Sequence, residues 1–241
     1  TIREAFISPK GTKLLAVDYS QIELRLMAHY SKDPIMLDSF RNNEDIHKRT
    51  ASEIFGVEIS DVDSQMRRRA KTINFGLLYG MSSFGLSNQL EVSRAEADIF
   101  LNNYFERYAA VKTFMTNIVE QAKKDKFVKT LYNRKIHVPN IEASNYMMRQ
   151  GSERAAINGP LQGSAADIIK IAMINIQNWI NKSKSNVRMI LQVHDELIFE
   201  IPDHFSDEEI KPIIEIMEET TKINVPLKVE YGFGSNWREA H

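Results

Sequence analysis

Two rhythms of apolar and polar positions divide this chain. Residues 13–17, KLLAV, form a short apolar run ending in Asp18, the pattern of a buried strand. Ile22, Leu24, Leu26 and Met27 then recur among polar residues from Gln21 to Tyr30, which predicts a helix bounded by Asp33-Pro34. Residues 34 to about 125 read as almost continuous helix, with a start signal at Ser64 ahead of a basic run and a capping box at Ser93-x-x-Glu96. Residues 127–131 and 135–138 flank Tyr132-Asn133-Arg134 as a hairpin that Pro139 closes. Helix resumes near Ala143, is expected to break at Gly159-Pro160, and continues through Trp179. Residues 187–193 and 197–201 read as strands on either side of His194-Asp195-Glu196. Ser206-x-x-Glu209 caps another helix, and residues 226–231 form a last strand. This order predicts an α+β fold, an antiparallel sheet with a large helical insertion. There is no internal repeat, low-complexity tract or flexible linker.

Composition bounds this picture without changing it. At 241 residues, 43% hydrophobic and 26% charged, the chain buries a sizeable core and suits one large domain or two closely joined subdomains. No apolar run reaches the ~18 residues that would span a bilayer, and no basic-then-apolar signal opens the chain, so no membrane association is expected. The absence of cysteine excludes disulfides and thiolate metal sites and fits a reducing cytoplasm. A net charge of −1 points to no nucleic-acid partner, yet the charge is uneven. Residues 121–139 carry Lys123, Lys124, Lys126, Lys129, Arg134 and Lys135 against Asp125, while residues 203–219 carry seven acidic side chains against Lys211. Either run alone reads as a solvated face. The opening TIREAFISP begins inside an apparent element, and we expect a piece of something longer.

Three constellations carry candidate chemistry. First, Asp18 and the Asp195-Glu196 couple each follow an apolar strand, 177 residues apart. A lone carboxylate at a strand end is usually a turn residue. Two that converge on one sheet edge would repel unless divalent cations neutralised them, and hard oxygen ligands suit magnesium. Second, Arg67, Lys71, Phe75 and Tyr79 recur at four-residue steps, a stripe ~18 Å long that matches the reach of a nucleoside triphosphate. The cations would meet phosphates and the rings would meet sugar and base. Gly76 and Gly80 would let this backbone bend or approach closely. The same pattern also suits an amphipathic helix with Phe75 and Tyr79 in the core. Third, Arg154, Asn158, Gln162 and Gln192 are hydrogen-bonders on otherwise apolar segments, suited to probing a duplex minor groove without reading its sequence. Caps and solvated polar positions would explain them equally, and the expected break at Gly159-Pro160 leaves a shared helical face open.

Taken together, DYSQIELRLMAHYS (18–31), MRRRAKTINFGLLYGMSSFGL (66–86) and QVHDELIFE (192–200) closely resemble the three signature motifs of family A DNA polymerases, in order and spacing. The likeness extends through DIHKRTASEIFGV (45–57), ERAAINGPLQGSAADIIK (153–170) and NWREAH (236–241). The resemblance implies a palm over residues 1–32 and 143–241, with the acidic metal site on its sheet, and fingers over residues 33–142. Family members carry a thumb and exonuclease or exonuclease-like domains that these residues lack.

By the same resemblance, two Mg2+ ions are held by Asp18 and Asp195, with the Tyr19 carbonyl as a further ligand and Glu196 supporting. His47, Arg67 and Lys71 grip the triphosphate, Lys71 also serving as proton donor to the leaving group, and Phe75 lies against the incoming sugar and base. Glu23 is the steric gate against a ribose 2′-hydroxyl, and Tyr79 stands at the template side. Arg25, Arg154, Asn158, Gln162, Gln192 and His194 contact the primer–template or line the site. The expected partners are primer–template DNA and deoxyribonucleoside triphosphates, in a monomer at the bacterial nucleoid, acting in repair and replication. Phenylalanine at 75 favours the bacterial repair-type branch. Asn133, where a hairpin glycine is usual, and Gly159, where alanine is common, are modest departures. The rival readings are a nucleic-acid-binding fragment without turnover and, disfavoured by Glu23, a single-subunit RNA polymerase.

Overall fold

A computed structural model describes residues 2–241. In chain order its elements are β1 (Thr12–Tyr19), α1 (Ile22–Ser31), α2 (Pro34–Arg41), α3 (Ile46–Phe55), α4 (Ser64–Leu78), α5 (Ser83–Leu90), α6 (Arg94–Arg107) and α7 (Ala109–Asp125). There follow β2 (Phe127–Lys129), β3 (Lys135–His137), α8 (Tyr146–Ser183), β4 (Arg188–Val193), β5 (Glu196–Pro202), α9 (Asp207–Glu219), β6 (Val229–Gly234) and α10 (Trp237–Ala240). They form two compact units, one of residues up to Ile22 together with Ala165–His241, the other Glu23–Ser164.

The first unit is built on an antiparallel sheet in the order β4-β5-β1-β6. Leu14, Leu15, Ala16 and Val17 are all buried, as expected of a central strand covered on both faces. Leu14 and Ala16 pack with Ile198, Trp237 and Ala240, so one face of β1 and β5 is closed by α10. The alternate residue Tyr19 donates its hydroxyl to the Met217 carbonyl of α9 at 2.7 Å. α9 buries Ile210, Ile213 and Met217 along one stripe and opens with the predicted Ser206–Glu209 capping box. The short α10 has no counterpart in the sequence reading. It lies so close to β6 that a Cβ at Gly232 would sit 2.6 Å from the Ala240 carbonyl oxygen. β6 begins at Val229 rather than near Pro226, whose ring nitrogen cannot donate to a ladder.

In the second unit the expected helical run is divided by local chemistry. Asp33 caps α2 by accepting from the Ile35 and Met36 amides at 3.1 and 3.2 Å, and Pro34 occupies the first helical position. Gly56 ends α3 in the left-handed region at φ 66°. Asp63, not Ser64, caps α4, accepting from the Met66 amide at 2.7 Å. The Ser93–Glu96 capping box forms as predicted. β2 and β3 pair as a hairpin in which Asn133 takes φ 62°, a conformation asparagine tolerates better than most residues.

The clearest departure is α8, which runs unbroken through Gly159-Pro160. Pro160 removes one amide donor from the ladder, and the hairpin packs closely on the helix around it. A Cβ at Gly163 would lie 2.7 Å from Thr130 and 2.8 Å from Ile136, and one at Gly159 would lie 3.0 Å from Val128. The two glycines thus let β2 and β3 approach the helix, and Arg134 donates to the Gly163 carbonyl at 2.9 Å. No helix among the described residues is long and apolar enough to cross a membrane.

Candidate active site

On the sheet unit, register places the acidic residues. Asp18 lies opposite Glu196 in the β1–β5 ladder, and β4 joins β5 through only His194 and Asp195. So short a connection forces His194 to φ 53°, an uncommon conformation for a residue with a side chain. Gln192 donates from Nε2 to the His194 carbonyl at 2.6 Å, bracing the turn. The Tyr19 amide donates to the Asp195 carbonyl at 3.2 Å, which ties the turn to the end of β1.

The side chains of Asp18 and Asp195 hydrogen-bond one another. Burial, then the charges of Asp195 and Glu196, push the Asp18 carboxyl up to about 7. Burial raises Asp195 as well. Oδ1 of Asp18 is buried without a hydrogen-bond partner. Glu196, 3% exposed, is differently placed. Its Oε1 accepts from the Trp237 indole at 3.0 Å and lies 3.0 Å from Nδ1 of His241. Among the described residues, no three acidic, histidine or cysteine side chains gather into a metal cage. An aspartate pair with an unsatisfied buried oxygen nevertheless fits magnesium, which needs one or two carboxylates and keeps water and phosphate oxygens for its other positions.

On the helical unit, Arg67, Lys71 and Phe75 form a row along α4. The helix buries Ala70, Ile73, Asn74 and Leu77 on the adjoining side. Arg67 donates from Nε to Oδ2 of Asp45 at 2.7 Å. Oδ1 of the same carboxylate caps α3, accepting from the His47 and Lys48 amides at 3.0 and 3.1 Å. Burial of Asp45 opposes its ionisation, but the Arg67 bond and the capped amides outweigh it and hold the carboxyl below its ordinary range. Lys71 is exposed and Phe75 is half-buried, its ring 5.8 Å from that of His47. Tyr79 lies one residue past the end of α4 and is 38% exposed, so the reading that buried both rings in the core does not hold. Gly80 follows at φ 65°, and a Cβ there would lie 2.9 Å from Cγ of Arg154.

Continuity of α8 settles a question left open by the sequence. Arg154, Asn158 and Gln162 stand at four-residue steps on one unbroken helix and form one row. Arg154 and Gln162 are exposed, and Oδ1 of Asn158 is buried without a partner. Arg25 is 5% exposed with its guanidinium 4.7 Å over the Phe40 ring, and Glu23 is half-buried in the first turn of α1. Gln192 and His194 are exposed on the sheet unit. Trp237, His241 and Asp45 received no role from the sequence. Asp45 was legible as a cap before a helix, whereas nothing local in NWREAH connects it to a glutamate 41 residues upstream.

The model of DNA polymerase family A matches residues 1–239. DNA polymerase I of Pseudomonas aeruginosa is 50% identical over 240 residues, which cover 100% of this chain and 26% of that protein. DNA polymerase I of Caldicellulosiruptor bescii is 45% identical over 99% of this chain and 28% of its own length. The chain therefore spans about a quarter of these relatives. Among solved structures, the POL domain of Pol1 from M. smegmatis, in complex with DNA primer-template and dNTP, superposes with a TM-score of 0.94. It shares 42% identity, and the match covers 99% of this chain and 42% of that one.

Proposed function

This chain belongs to DNA polymerase family A, and we propose on that premise that it forms the palm and fingers of a template-directed DNA polymerase of the DNA polymerase I type. Residues 1–32 and 143–241, which include the sheet, are read as palm and residues 33–142 as fingers. The observation that carries the reading is the Asp18–Asp195 pair, two carboxyls pressed together at the ends of the central strands with one oxygen unpaired. Structure that forces like charges together at a cost to itself marks a site built for a cation.

Asp18, Asp195 and the Tyr19 carbonyl would hold Mg2+, two ions expected, which would activate a primer 3′-hydroxyl and stabilise the leaving pyrophosphate. The chain's own residues do the rest. Arg67 and Lys71 bind the triphosphate by charge-assisted hydrogen bonds, His47 adds a ring N–H, and Lys71 supplies a proton to the leaving group. Phe75 packs against the incoming sugar and base, Glu23 fills the space a 2′-hydroxyl would need, and Tyr79 stands at the template side. Arg154, Asn158 and Gln162, in one row on α8, are placed to follow a duplex, with Arg25, Gln192 and His194 as further contacts. Glu196 supports the site through its neighbour Asp195.

A non-catalytic, nucleic-acid-binding role is the second reading. Primer extension with Mg2+ and deoxyribonucleoside triphosphates separates the two. Templated extension by the full-length gene product supports the proposal, and duplex binding without extension in every divalent metal tried supports the alternative.

A further inference from the structure

Asn74 is the polar exception on the buried side of α4, 1% exposed between Ile73 and Leu77. Its amide belongs to a chain of buried side chains. The Tyr108 hydroxyl lies 3.2 Å from Oγ1 of Thr50, Thr50 Oγ1 lies 3.2 Å from Oδ1 of Asn74, and Nδ2 of Asn74 lies 3.0 Å from Nδ1 of His47. Tyr108, Thr50 and His47 are 1%, 0% and 2% exposed, so the buried atoms that these bonds join need their partners.

Hydrogen counting gives the chain a direction. Thr50 is the hydrogen-bond partner of the Tyr108 phenol, and a buried phenol with one partner donates to it. Thr50 has a single hydroxyl hydrogen, which goes to Oδ1 of Asn74. In the structure the amide stands with its NH2 toward His47, Nδ2 lying 3.0 Å from Nδ1 of the ring and 3.1 Å from Thr50 Oγ1. Nδ1 of His47 must then accept, and in a neutral imidazole the proton is left on Nε2.

We infer that Asn74 is a positioning residue that fixes His47 as its Nε2–H form, offering the triphosphate a neutral N–H donor beside the cations Arg67 and Lys71. The inference rests on the reading of His47 as a triphosphate contact. Electrostatics support it. Burial chiefly, opposed by Asp45 and assisted by Arg67 and Lys71, pushes the His47 imidazole down to about 4, so the ring is uncharged at neutral pH. The contact with Phe75 sets the ring beside the same row of α4.

The test is a long-range 1H–15N spectrum of the ligand-free chain labelled with 15N-histidine, which reports which ring nitrogen carries the proton. The parent should show His47 protonated on Nε2 alone. In Asn74→Asp the new carboxylate can only accept, so Nδ1 should gain a proton. In Asn74→Leu the ring should lose its single form, and the nucleotide KM of the full-length gene product should rise about tenfold with kcat little changed, as for loss of the partner that orients a histidine. A parent proton on Nδ1 overturns the inference. So does a His47 spectrum unmoved by Asn74→Asp, or an unchanged KM in Asn74→Leu where His47→Ala raises it. Should His47→Ala itself leave KM unchanged while the tautomer is as stated, the triphosphate reading fails and the control of Asn74 over the ring stands.

Discussion

In the sheet unit, backbone register holds like charges together. Asp18 and Asp195 are set by a ladder and a two-residue turn, with one Asp18 oxygen unpaired and both carboxyls raised above their ordinary range. In the helical unit, side chains hold unlike charges together. Arg67 rests on Asp45, and a four-residue chain of buried hydrogen bonds ends at Nδ1 of His47. The first arrangement is costly until something positive arrives, and the second is already balanced and exposes a cationic, aromatic row to whatever comes from outside. The proposed reaction between a primer end and a triphosphate would use both kinds of surface, one that gathers metal charge for the transition state and one that binds the substrate before it.

If the two surfaces are separate in function, substitutions in them should fail differently. The largest effect belongs to the carboxylates. Asp18→Ala or Asp195→Ala should reduce nucleotide addition by the full-length gene product by about a thousandfold or more while duplex affinity is retained. Near-parental extension by either variant would remove the basis of the metal assignment. Arg67→Ala or Lys71→Ala should cost about ten- to a hundredfold in nucleotide use, the loss of one charge-assisted hydrogen bond. Duplex binding titrated against salt should keep its slope in both, because no DNA phosphate loses its partner. A shallower slope with unchanged nucleotide use would move α4 from the substrate to the DNA backbone.

A third effect is smaller and structural. Trp237→Phe keeps an aromatic ring against Leu14, Ala16 and Ile198 but removes the donor to the buried Glu196 carboxylate. The cost should be about 1–3 kcal/mol, seen as a fall of about 5 °C in Tm. Unchanged stability would mean that His241 alone satisfies Glu196. The smallest effect concerns pH. Because the folded Asp18 carboxyl is raised to about 7 from 3.8, it contributes stability that is fully present below about pH 4 and is lost as pH rises through 7. Without metal, Asp18→Asn should therefore raise Tm above pH 7 by a few degrees and flatten its pH dependence, which a melting series from pH 5 to 9 would show.

Much of this was legible in the sequence because it rests on local rules. The run KLLAV followed by Asp18, the two acidic strand ends, and the capping boxes at Ser93 and Ser206 each depend on residues within a turn or a strand. What escaped depends on partners distant in the chain. Pro160 reads as a break until Gly159 and Gly163 are seen to admit the hairpin that packs on the helix around it. Glu196 reads as a third acidic group beside Asp195 until Trp237 and His241 are found to occupy its carboxylate. Asn74 carried a signal that could have been used, since an amide among Ile73, Gly76 and Leu77 on the apolar side of a helix must find a buried partner.

Titration of Mg2+ into the chain by calorimetry, at pH 7 in two buffers of different ionisation enthalpy, tests the central claim that Asp18 and Asp195 are held together to receive a cation. With Asp18 titrating at about 7, binding should release about half a proton per chain. Asp18→Asn should bind far more weakly and release none. Equal Mg2+ affinity in parent and Asp18→Asn, or binding with no proton released by the parent, would contradict the account.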